Sequence, residues 1–526
     1  MPSPFSTDQR RNQAVPGTRD ATRQVIDDEA GSGGEWPKDK PHRNTIHVKR
    51  SGLTLSPDPA RVLVRPFNPS TDERAANICA RVLSLSEEQT RLLLAGVQAE
   101  FGARHRKTRE FLRRRFEQVR HHLVTGQKLS EERELLLAAY FTHEYSLEAA
   151  ALFNPSIVPH PDQTGLPAGA LRFVMSLRAT GEGHISSITF RNGVLDAHGG
   201  IAINEPARHS LEPLQVPNAT YEKPLFLRKL QELGLAGDFS RQVLESLGES
   251  FTLEDLRASL NAAAKVFEGR GEQTEAPARK VLTLAQSNYE VQFEPDSRLS
   301  ERVLFPVTPS QSNGIEDARF VRFQNDDGTF CYYATYTAYD GKFILPQFIE
   351  TPDFLHFKFI TLNGPAVQNK GMALFPRRIG SQYVMLGRQD YENIYVMFSD
   401  HLHFWNHREL VLKPAFPWEF VQMGNCGSPL ETEAGWLVLS HGVGPMRKYC
   451  IGAFLLDRDD PTKVLGRLGE PLLTPSETER VGYVPNVVYS CGSLLHRRQL
   501  IIPYAMSDYA TTFASVALDD VLGALE

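Results

Sequence analysis

The chain has 526 residues, of which 41% are hydrophobic and 23% are charged. This composition is typical of a globular protein and excludes disorder along the whole chain. The formal net charge of −6 is small for this length, so the chain as a whole is not a polycation that binds nucleic acid or a membrane surface. Average domain size alone suggests three or four domains.

Cysteine usage and hydropathy bear on the cellular compartment. The five cysteines are odd in number and include no CxxC pair, so we expect reduced thiols rather than a disulfide framework. The first residues lack the apolar core of a secretory signal. No run of about 18 apolar residues occurs along the chain. We therefore predict a cytoplasmic protein with no membrane partner.

The N-terminal region divides into a tail and a helical segment. Residues 1–58 are polar and rich in Pro, Gly, Asp and Arg, which predicts a disordered tail. Residues 59–150 have a helical period. Helices are predicted to start at Thr71, Ser86 and Ser130, because each is a capping residue followed by acidic residues.

Within this segment, residues 104–120 contain eight Arg or Lys and two Glu. Such a stretch fits either a nucleic-acid surface or the solvated face of a helix. In the second interpretation Leu112, Phe116 and Val119 face the core. We favour it, because no stacking aromatic residues interleave the charges as single-strand binding requires. We predict no nucleic-acid partner.

After residue 151 the pattern changes to short β-like runs that end at Gly, Pro, Asn or Asp. A helical pattern interrupts these runs at about 218–275. Its leucines recur at helical spacing, and a capping box at Thr252 to Asp255 precedes its last helix. We predict a helical insertion in a β domain.

The β region contains an internal repeat. In each copy a large apolar residue opens a strand that ends in a polar residue, and the five openers are Phe173, Phe330, Tyr383, Trp436 and Leu500. Outside the insertion the repeat length is about 50 to 65 residues, which is typical of propeller blades of about four strands. The sequence therefore predicts a mainly β fold. We expect a five-bladed β-propeller over 151–526, with an α-helical N-terminal segment and a helical insertion.

The segment 312–320, SNGIEDARF, begins the second copy of the repeat. Successive side chains of an extended strand point to opposite faces. We therefore expect Asp317 and Arg319 on one face and Glu316 on the other. An acidic residue at this place is either a general acid or part of a buried ion pair.

Basic and aromatic residues follow at corresponding places in the later copies. The residues that we expect to converge are Lys370, Arg388, His441 and Tyr449. Arg and Lys make charge-assisted hydrogen bonds to phosphate, so this group predicts an oxyanion site. His401 and His403 share a strand face, but no third ligand is evident, and we predict no metal site.

Six motifs in order resemble glycoside hydrolase family 130. They are GIEDAR at 314–319, NKG with LFP at 369–376, SDHL at 399–402, GWL with HGV at 435–443, PNVVYSCG at 485–492, and Tyr504 with Asp508. The resemblance covers 285–526 and, more loosely, 150–205. It implies a five-bladed propeller that phosphorolyses β-mannosides with inversion, or in some members hydrolyses them.

The resemblance also implies residue roles. Asp317 would donate the proton to the glycosidic oxygen. Phosphate would be held by Arg178, Lys370, Arg388, His441 and Tyr449, and the mannoside by Arg319, Asn369 and Asp508. Ala318 stands where many members have Pro. The helical segments are absent from short members, which leaves the subunit arrangement and the acceptor pocket open, and a homo-oligomer is possible.

The residue types favour phosphorolysis over hydrolysis. An inverting hydrolase needs an acid and a second carboxylate that activates water, about 6.5–9.5 Å apart. Phosphate is already an anionic nucleophile and needs an acid with a cationic cradle. We therefore expect a β-mannoside oligosaccharide and inorganic phosphate as substrates, α-mannose 1-phosphate as product, and no cofactor. Two alternatives stay open: an inverting β-mannosidase with Glu316, Glu431 or Glu479 as base, and a non-catalytic sugar-binding propeller.

Overall fold

The computed structural model describes residues 46–123, 126, 128–216, 220–267 and 272–526. Strands dominate it, so the chain is mainly β. The N-terminal region contains β1 (Lys49–Leu55), β2 (Val62–Pro66), α1 (Asp72–Leu83), α2 (Glu87–Phe101), α3 (Thr108–Val119), α4 (Glu131–Tyr140) and β3 (Thr142–Ser146). The helices begin where the capping residues predict: Thr71, Ser86 and Ser130 each accept a hydrogen bond from the backbone three residues on.

The basic stretch before and within α3 is neutralised inside the chain. Leu112, Phe116 and Val119 are buried in a core shared with α1, α2 and α4. Arg109 and Arg113 pair with a glutamate of α4. The buried guanidinium of Arg115 donates to the backbone carbonyl of Phe141, 2.9 Å away. The stretch is therefore a helix face that packs and pairs within the protein.

The predicted tail lies outside the described residues up to residue 45. Beyond that point the prediction differs from the structure, because Lys49–Leu55 forms β1. This strand runs antiparallel to a strand near the C-terminus, with Lys49 opposite Ser515 and Leu55 opposite Thr511. Its stability comes from backbone pairing with a distant strand, which composition does not reveal.

The β region consists of consecutive groups of antiparallel strands. The first group contains β4 (Ala151–Pro159), β5 (Leu171–Thr180), β6 (Ser186–Leu195) and β7 (Ile201–Ile203). The insertion follows, with β8 (Leu214–Gln215), β9 (Thr220–Glu222), α5 (Lys223–Glu232), α6 (Asp238–Glu245), β10 (Ser250–Thr252), α7 (Leu253–Val266), α8 (Glu272–Gln286) and β11 (Tyr289–Gln292). Its helices enclose a core of their own around Phe226, Leu230 and Phe251.

Three further groups follow in the chain. Strand β12 (Val303–Leu304) pairs with β6 of the first group. The second group contains β13 (Gly314–Gln324), β14 (Phe330–Tyr339), β15 (Ile344–Thr351) and β16 (His356–Thr361). The third contains β17 (Ala373–Leu374), β18 (Tyr383–Gly387), β19 (Ile394–Ser399) and β20 (His407–Leu412). The fourth contains β21 (Gln422–Asn425), β22 (Leu430–Thr432), β23 (Gly435–Val443), β24 (Tyr449–Leu456) and β25 (Val464–Arg467).

The fifth group joins the two ends of the described chain. It contains β26 (Val488–Tyr489), β27 (Leu494–His496), β28 (Gln499–Met506) and β29 (Ala510–Ala517), and β1 forms its outer edge. Helix α9 (Leu518–Gly523) follows. The five predicted openers lie at or near the starts of β5, β14, β18, β23 and β28, so the repeat in the sequence marks the corresponding strand of each group.

One cavity is lined by residues of all five strand groups. Its volume is about 260 Å³, and its lining includes Ile157, Phe320, Pro376, Pro429 and Gly492. The polar ends of the neighbouring strands carry the candidate site.

Candidate functional site

A β-bulge places two adjacent carboxylates at the same arginine. The register of β13 against β14 shifts between Glu316 and Arg319, and Asp317 has a left-handed backbone with φ 55°. Arg178 Nη2 donates to Glu316 Oε1 at 2.7 Å, and Arg178 Nη1 donates to Asp317 Oδ1 at 3.4 Å. The expectation that Glu316 and Asp317 face opposite sides is wrong, because the bulge interrupts the alternation of side chains.

Asp317 is a buried carboxylate surrounded by donors. Asn154 Nδ2, from a bulge in β4, donates to its Oδ1 at 2.7 Å. Burial by itself would raise the pKa of Asp317, but the positive charges of Arg178, Arg319 and Lys370 outweigh burial and hold this pKa well below its usual range. In the unliganded protein this carboxyl is therefore ionised at neutral pH.

Asp508 is a second carboxyl in the same electrostatic field. It follows β28 and also has a left-handed backbone, with φ 51°. Burial, and then the negative charge of Asp317, raise its pKa to about 6. The two aspartates are thus pushed in opposite directions, and near neutral pH Asp508 is the more readily protonated of them.

Arg319 connects the acid to the aromatic part of the site. Its Nη1 donates to the backbone carbonyl of Asp317 at 3.1 Å, and its Nη2 donates to the hydroxyl of Tyr489 at 2.6 Å. The Tyr489 ring packs against that of His441, with centroids 5.0 Å apart. Arg319 therefore lies between the acid and the basic group.

Arg388 and His441 form a buried pair. Arg388 follows β18, His441 lies in β23, and Arg388 Nη1 lies 3.2 Å from His441 Nε2. Since a guanidinium only donates, Nε2 accepts and the imidazole proton is assigned to Nδ1. Burial, together with the charges of Arg388 and Arg319, lowers the pKa of His441 well below its usual value, so the ring is neutral. The Tyr449 ring stacks on it at 5.9 Å.

The loop after β16 brings Asn369 and Lys370 to the same place. Asn369 Nδ2 donates to the backbone carbonyl of Arg388 at 3.0 Å, and Lys370 Nζ lies 3.8 Å from Glu316 Oε2. Gly371 has φ 87°, and a Cβ there would lie 2.9 Å from Arg388 Nε. The loop thus requires glycine beside the arginine.

Several buried polar atoms of the site have no hydrogen-bond partner among the described residues. They are Asn154 Oδ1, Arg319 Nε, Asn369 Oδ1, Arg388 Nε and Asn425 Oδ1. Buried polar groups are normally paired. The two guanidinium Nε atoms can donate to an oxyanion, whereas the three amide oxygens accept and suit hydroxyl groups of a ligand.

Two exposed rings lie beside the acidic part of the site. Tyr483 is 61% exposed and packs on His184, with centroids 5.7 Å apart. His184 lies in the turn after β5, close in sequence to Arg178. The backbone N–H of Val484 donates to the carbonyl of Ser507, next to Asp508.

The structure brings the predicted site residues together in two connected groups. Around the acid lie Arg178, Asp317, Arg319, Lys370 and Asp508; around the histidine lie Asn369, Arg388, His441 and Tyr449. Asn154, Tyr489 and Asn425 were not predicted. Tyr489 lies in the motif at 485–492, which could have identified it. The only sequence feature that marks Asn154 is its position as a polar residue before Pro155 in an apolar strand.

In the part of the chain that the structure describes, no three or more His, Cys, Asp and Glu side chains are grouped so that they could hold a metal ion. None of the helices in the described ranges is both long enough and apolar enough to cross a bilayer.

Comparisons with known proteins agree with these motifs. A family model described as beta-1,4-mannooligosaccharide phosphorylase matches residues 268–526. A 1,2-beta-oligomannan phosphorylase of Thermoanaerobacter sp. is 34% identical over 232 residues, which are 43% of this chain and 75% of that protein. The chain belongs to glycoside hydrolase family 130.

Further members of family 130 show weaker similarity. A beta-1,2-mannobiose phosphorylase of Listeria innocua is 30% identical over 231 residues, which are 42% of this chain and 63% of that protein. The solved structure of a beta-1,2-mannobiose phosphorylase from Listeria innocua has a TM-score of 0.43 at 21% identity, over 72% of this chain and 92% of that one. The match to the family model lies in the C-terminal half of the chain.

Proposed function

We propose that this chain is an inverting glycoside phosphorylase that cleaves β-mannosides with inorganic phosphate and releases α-mannose 1-phosphate. The observation that carries the proposal is the arrangement at Asp317. One buried carboxyl lies among Arg178, Arg319 and Lys370, next to buried guanidinium groups with unpaired N–H donors. Phosphate supplies the nucleophile, so the reaction needs no further cofactor.

For the fold, we propose that the five strand groups form the blades of one five-bladed β-propeller over 151–526, with β1 completing the fifth blade. The cavity lined by all five groups supports this arrangement. The regular spacing of the last four openers, which lie outside the insertion, supports it as well. The helices of 59–150 and of the insertion would lie outside the ring.

For phosphate, we propose a cradle made of Arg178, Lys370, Arg388, His441 and Tyr449. The arginines and the lysine provide charge-assisted hydrogen bonds. His441 is neutral and orients Arg388 through its Nε2. The hydroxyl of Tyr449 accepts from Gln422 Nε2 at 3.2 Å, which leaves its proton available to an oxyanion.

For the chemistry, we propose that phosphate attacks the anomeric carbon while Asp317 protonates the leaving oxygen, directly or through a sugar hydroxyl. Arg319, Asn369 and Asp508 would hold the mannosyl unit. The low pKa of Asp317 comes from the nearby positive charges of Arg178, Arg319 and Lys370. Bound phosphate dianion offsets those charges and raises this pKa, so the carboxyl becomes an acid when the nucleophile is present.

The hydrolytic alternative needs a carboxylate base that activates water. Glu431 is held by Arg377 and Arg458 and lines the 260 Å³ cavity. Glu479 accepts hydrogen bonds from Arg50 and from a tyrosine hydroxyl. Glu316 is at the site, but Arg178 and Lys370 already contact it. These contacts favour phosphorolysis.

The test is turnover of β-1,2- and β-1,4-mannobiose with and without inorganic phosphate, followed by ³¹P NMR for the sugar phosphate. We expect turnover only with phosphate, and loss of nearly all of it in Asp317→Asn. Mannose release without phosphate would establish the hydrolase. Sugar binding without any turnover would establish the non-catalytic module.

We also propose a cytoplasmic location. All five cysteines are free thiols, four of them buried, which is the usual state of cysteine in a reducing compartment. A homo-oligomer stays a prediction, to be checked by light scattering.

A further inference from the structure

A helix of the insertion contacts the loop that carries Lys370. The loop joins β16 to β17 and spans residues 362–372. Its second half, with Asn369 and Lys370, belongs to the proposed phosphate site. Its first half lies against α5, so an element outside the β groups touches the loop within a few residues of the site.

The contact consists of two charged side chains and two backbone groups. Lys229 Nζ donates to the carbonyl of Leu362 at 2.8 Å and to Glu232 Oε2 at 3.0 Å. Glu232 Oε1 accepts the backbone N–H of Gly364 at 2.6 Å. Lys229 is only 6% exposed. Its burial lowers its pKa, which its glutamate partner partly offsets.

The loop has little room to adjust at this point. Gly364 has φ 109°, and a Cβ there would lie 2.0 Å from the carbonyl oxygen of Trp405. On the side away from α5, the N–H of Ala366 donates to the same carbonyl at 3.2 Å. The guanidinium of Arg228, next to Lys229, lies 3.9 Å from the centroid of the Phe404 ring. Gly364 is therefore held between α5 and the third strand group.

We propose that Lys229 and Glu232 are positioning residues that fix the first half of this loop and so place Lys370 for phosphate. The inference rests on the proposed function, because it assigns phosphate to Lys370. The second half of the loop has anchors of its own, since Asn369 bonds the carbonyl of Arg388. Without the α5 contacts the loop start is held by fewer bonds, and Lys370 spends less time in the binding position.

This role predicts a selective kinetic effect. Loss of the contacts lowers the affinity for phosphate, while chemistry proceeds at nearly the normal rate once phosphate is bound. The reverse reaction depends on the same loop. The KM for α-mannose 1-phosphate should therefore rise with the KM for phosphate, while the KM for the mannoside should change little.

The experiment compares Glu232→Ala with Glu232→Gln and with Glu245→Ala as control. Glu245 is an exposed residue at the end of α6 in the same insertion. We expect Glu232→Ala to raise the KM for phosphate about threefold to tenfold, with kcat within about twofold, since the hydrogen bonds that Glu232 accepts from the Gly364 N–H and from Lys229 are both lost. Glu232→Gln keeps an oxygen that accepts the Gly364 N–H, so it should raise the KM for phosphate less than Glu232→Ala does. The control variant should have the kinetic constants of the wild type.

Calorimetric titration with inorganic phosphate gives a second readout. A variant with lower thermal stability but unchanged phosphate affinity would show that the pair only stabilises the insertion, and would overturn the proposal. Should Glu232→Ala fail to fold, Lys229→Met decides, because it removes the bond to the Leu362 carbonyl. Unchanged phosphate affinity together with an unchanged KM in that variant overturns the proposal. Failure of the proposed function is recognised separately, in a wild-type protein that neither binds nor consumes phosphate.

Discussion

The structure predicts both the direction and the size of the effect of Asp508 on the stability of the fold. Burial and the neighbouring Asp317 raise its pKa from 3.8 to about 6. In the unfolded chain the same carboxyl ionises at its usual value, so the folded state loses stability as the pH rises between these two values. Above the folded-state value the full cost is present. The difference between 3.8 and about 6 corresponds to up to about 3 kcal/mol of stability. Asp508→Asn carries no charge and removes this cost.

Thermal unfolding at pH 8 and pH 4 measures the effect. For a folded unit of roughly 480 residues, 1 kcal/mol corresponds to about 1 °C in Tm. We therefore expect Asp508→Asn to raise the Tm by up to about 3 °C at pH 8 and to leave it within about 1 °C at pH 4. Asp520→Asn, at an exposed carboxylate of α9, is the matched control and should change neither value.

Removing the charge of Asp317, in the same site, should have the opposite effect on the Tm. The surrounding cations stabilise its ionised form, so Asp317→Asn should lower the Tm at pH 8. An Asp508→Asn protein that gains no stability at pH 8, or gains as much at pH 4, would refute the assignment of a raised pKa to this carboxyl.

Three further predictions concern phosphate, the acceptor sugar and the fifth strand group. Arg388→Met should raise the KM for phosphate about tenfold to a hundredfold, because a guanidinium with an unpaired buried Nε is lost; steady-state kinetics at varied phosphate check it, and an unchanged KM would remove Arg388 from the cradle. Tyr483→Ala should raise the KM for the mannoside severalfold and leave the KM for phosphate unchanged, because the exposed ring on His184 offers a stacking face for the acceptor sugar; equal changes in both constants would contradict this. Arg50→Met should lower the Tm by about 1–3 °C, because it removes the cationic partner of Glu479, a carboxylate that is 4% exposed. Arg498→Met, in an exposed ion pair, is its control, and calorimetry that finds equal losses would argue against a special role for β1.

Local features of the chain were readable from the sequence. The helix starts at Thr71, Ser86 and Ser130 were predicted correctly, because a capping side chain bonds the backbone three residues away. The openers from Phe173 to Leu500 were also placed correctly, because a large apolar residue that opens a strand is a short-range pattern in the sequence. Family membership followed from motifs that are contiguous in the chain.

Features that depend on distant partners were not readable. The strand β1 looked like tail, because its partner β29 lies more than 450 residues away. The predicted faces of Glu316 and Asp317 were wrong because a bulge, not the alternating pattern, sets their direction. Asn154 reaches Asp317 only because β4 and β13 are adjacent in the fold.

The sequence by itself thus determined which residue types are present for an acid and an anion cradle, and in what order they occur. Tertiary structure decided which of them meet. It paired Arg388 with His441, set Asp508 in the field of Asp317, and placed α5 against the loop before Lys370. Charges and hydrogen bonds act over a few ångströms, and only the packing of distant segments brings such groups within that range.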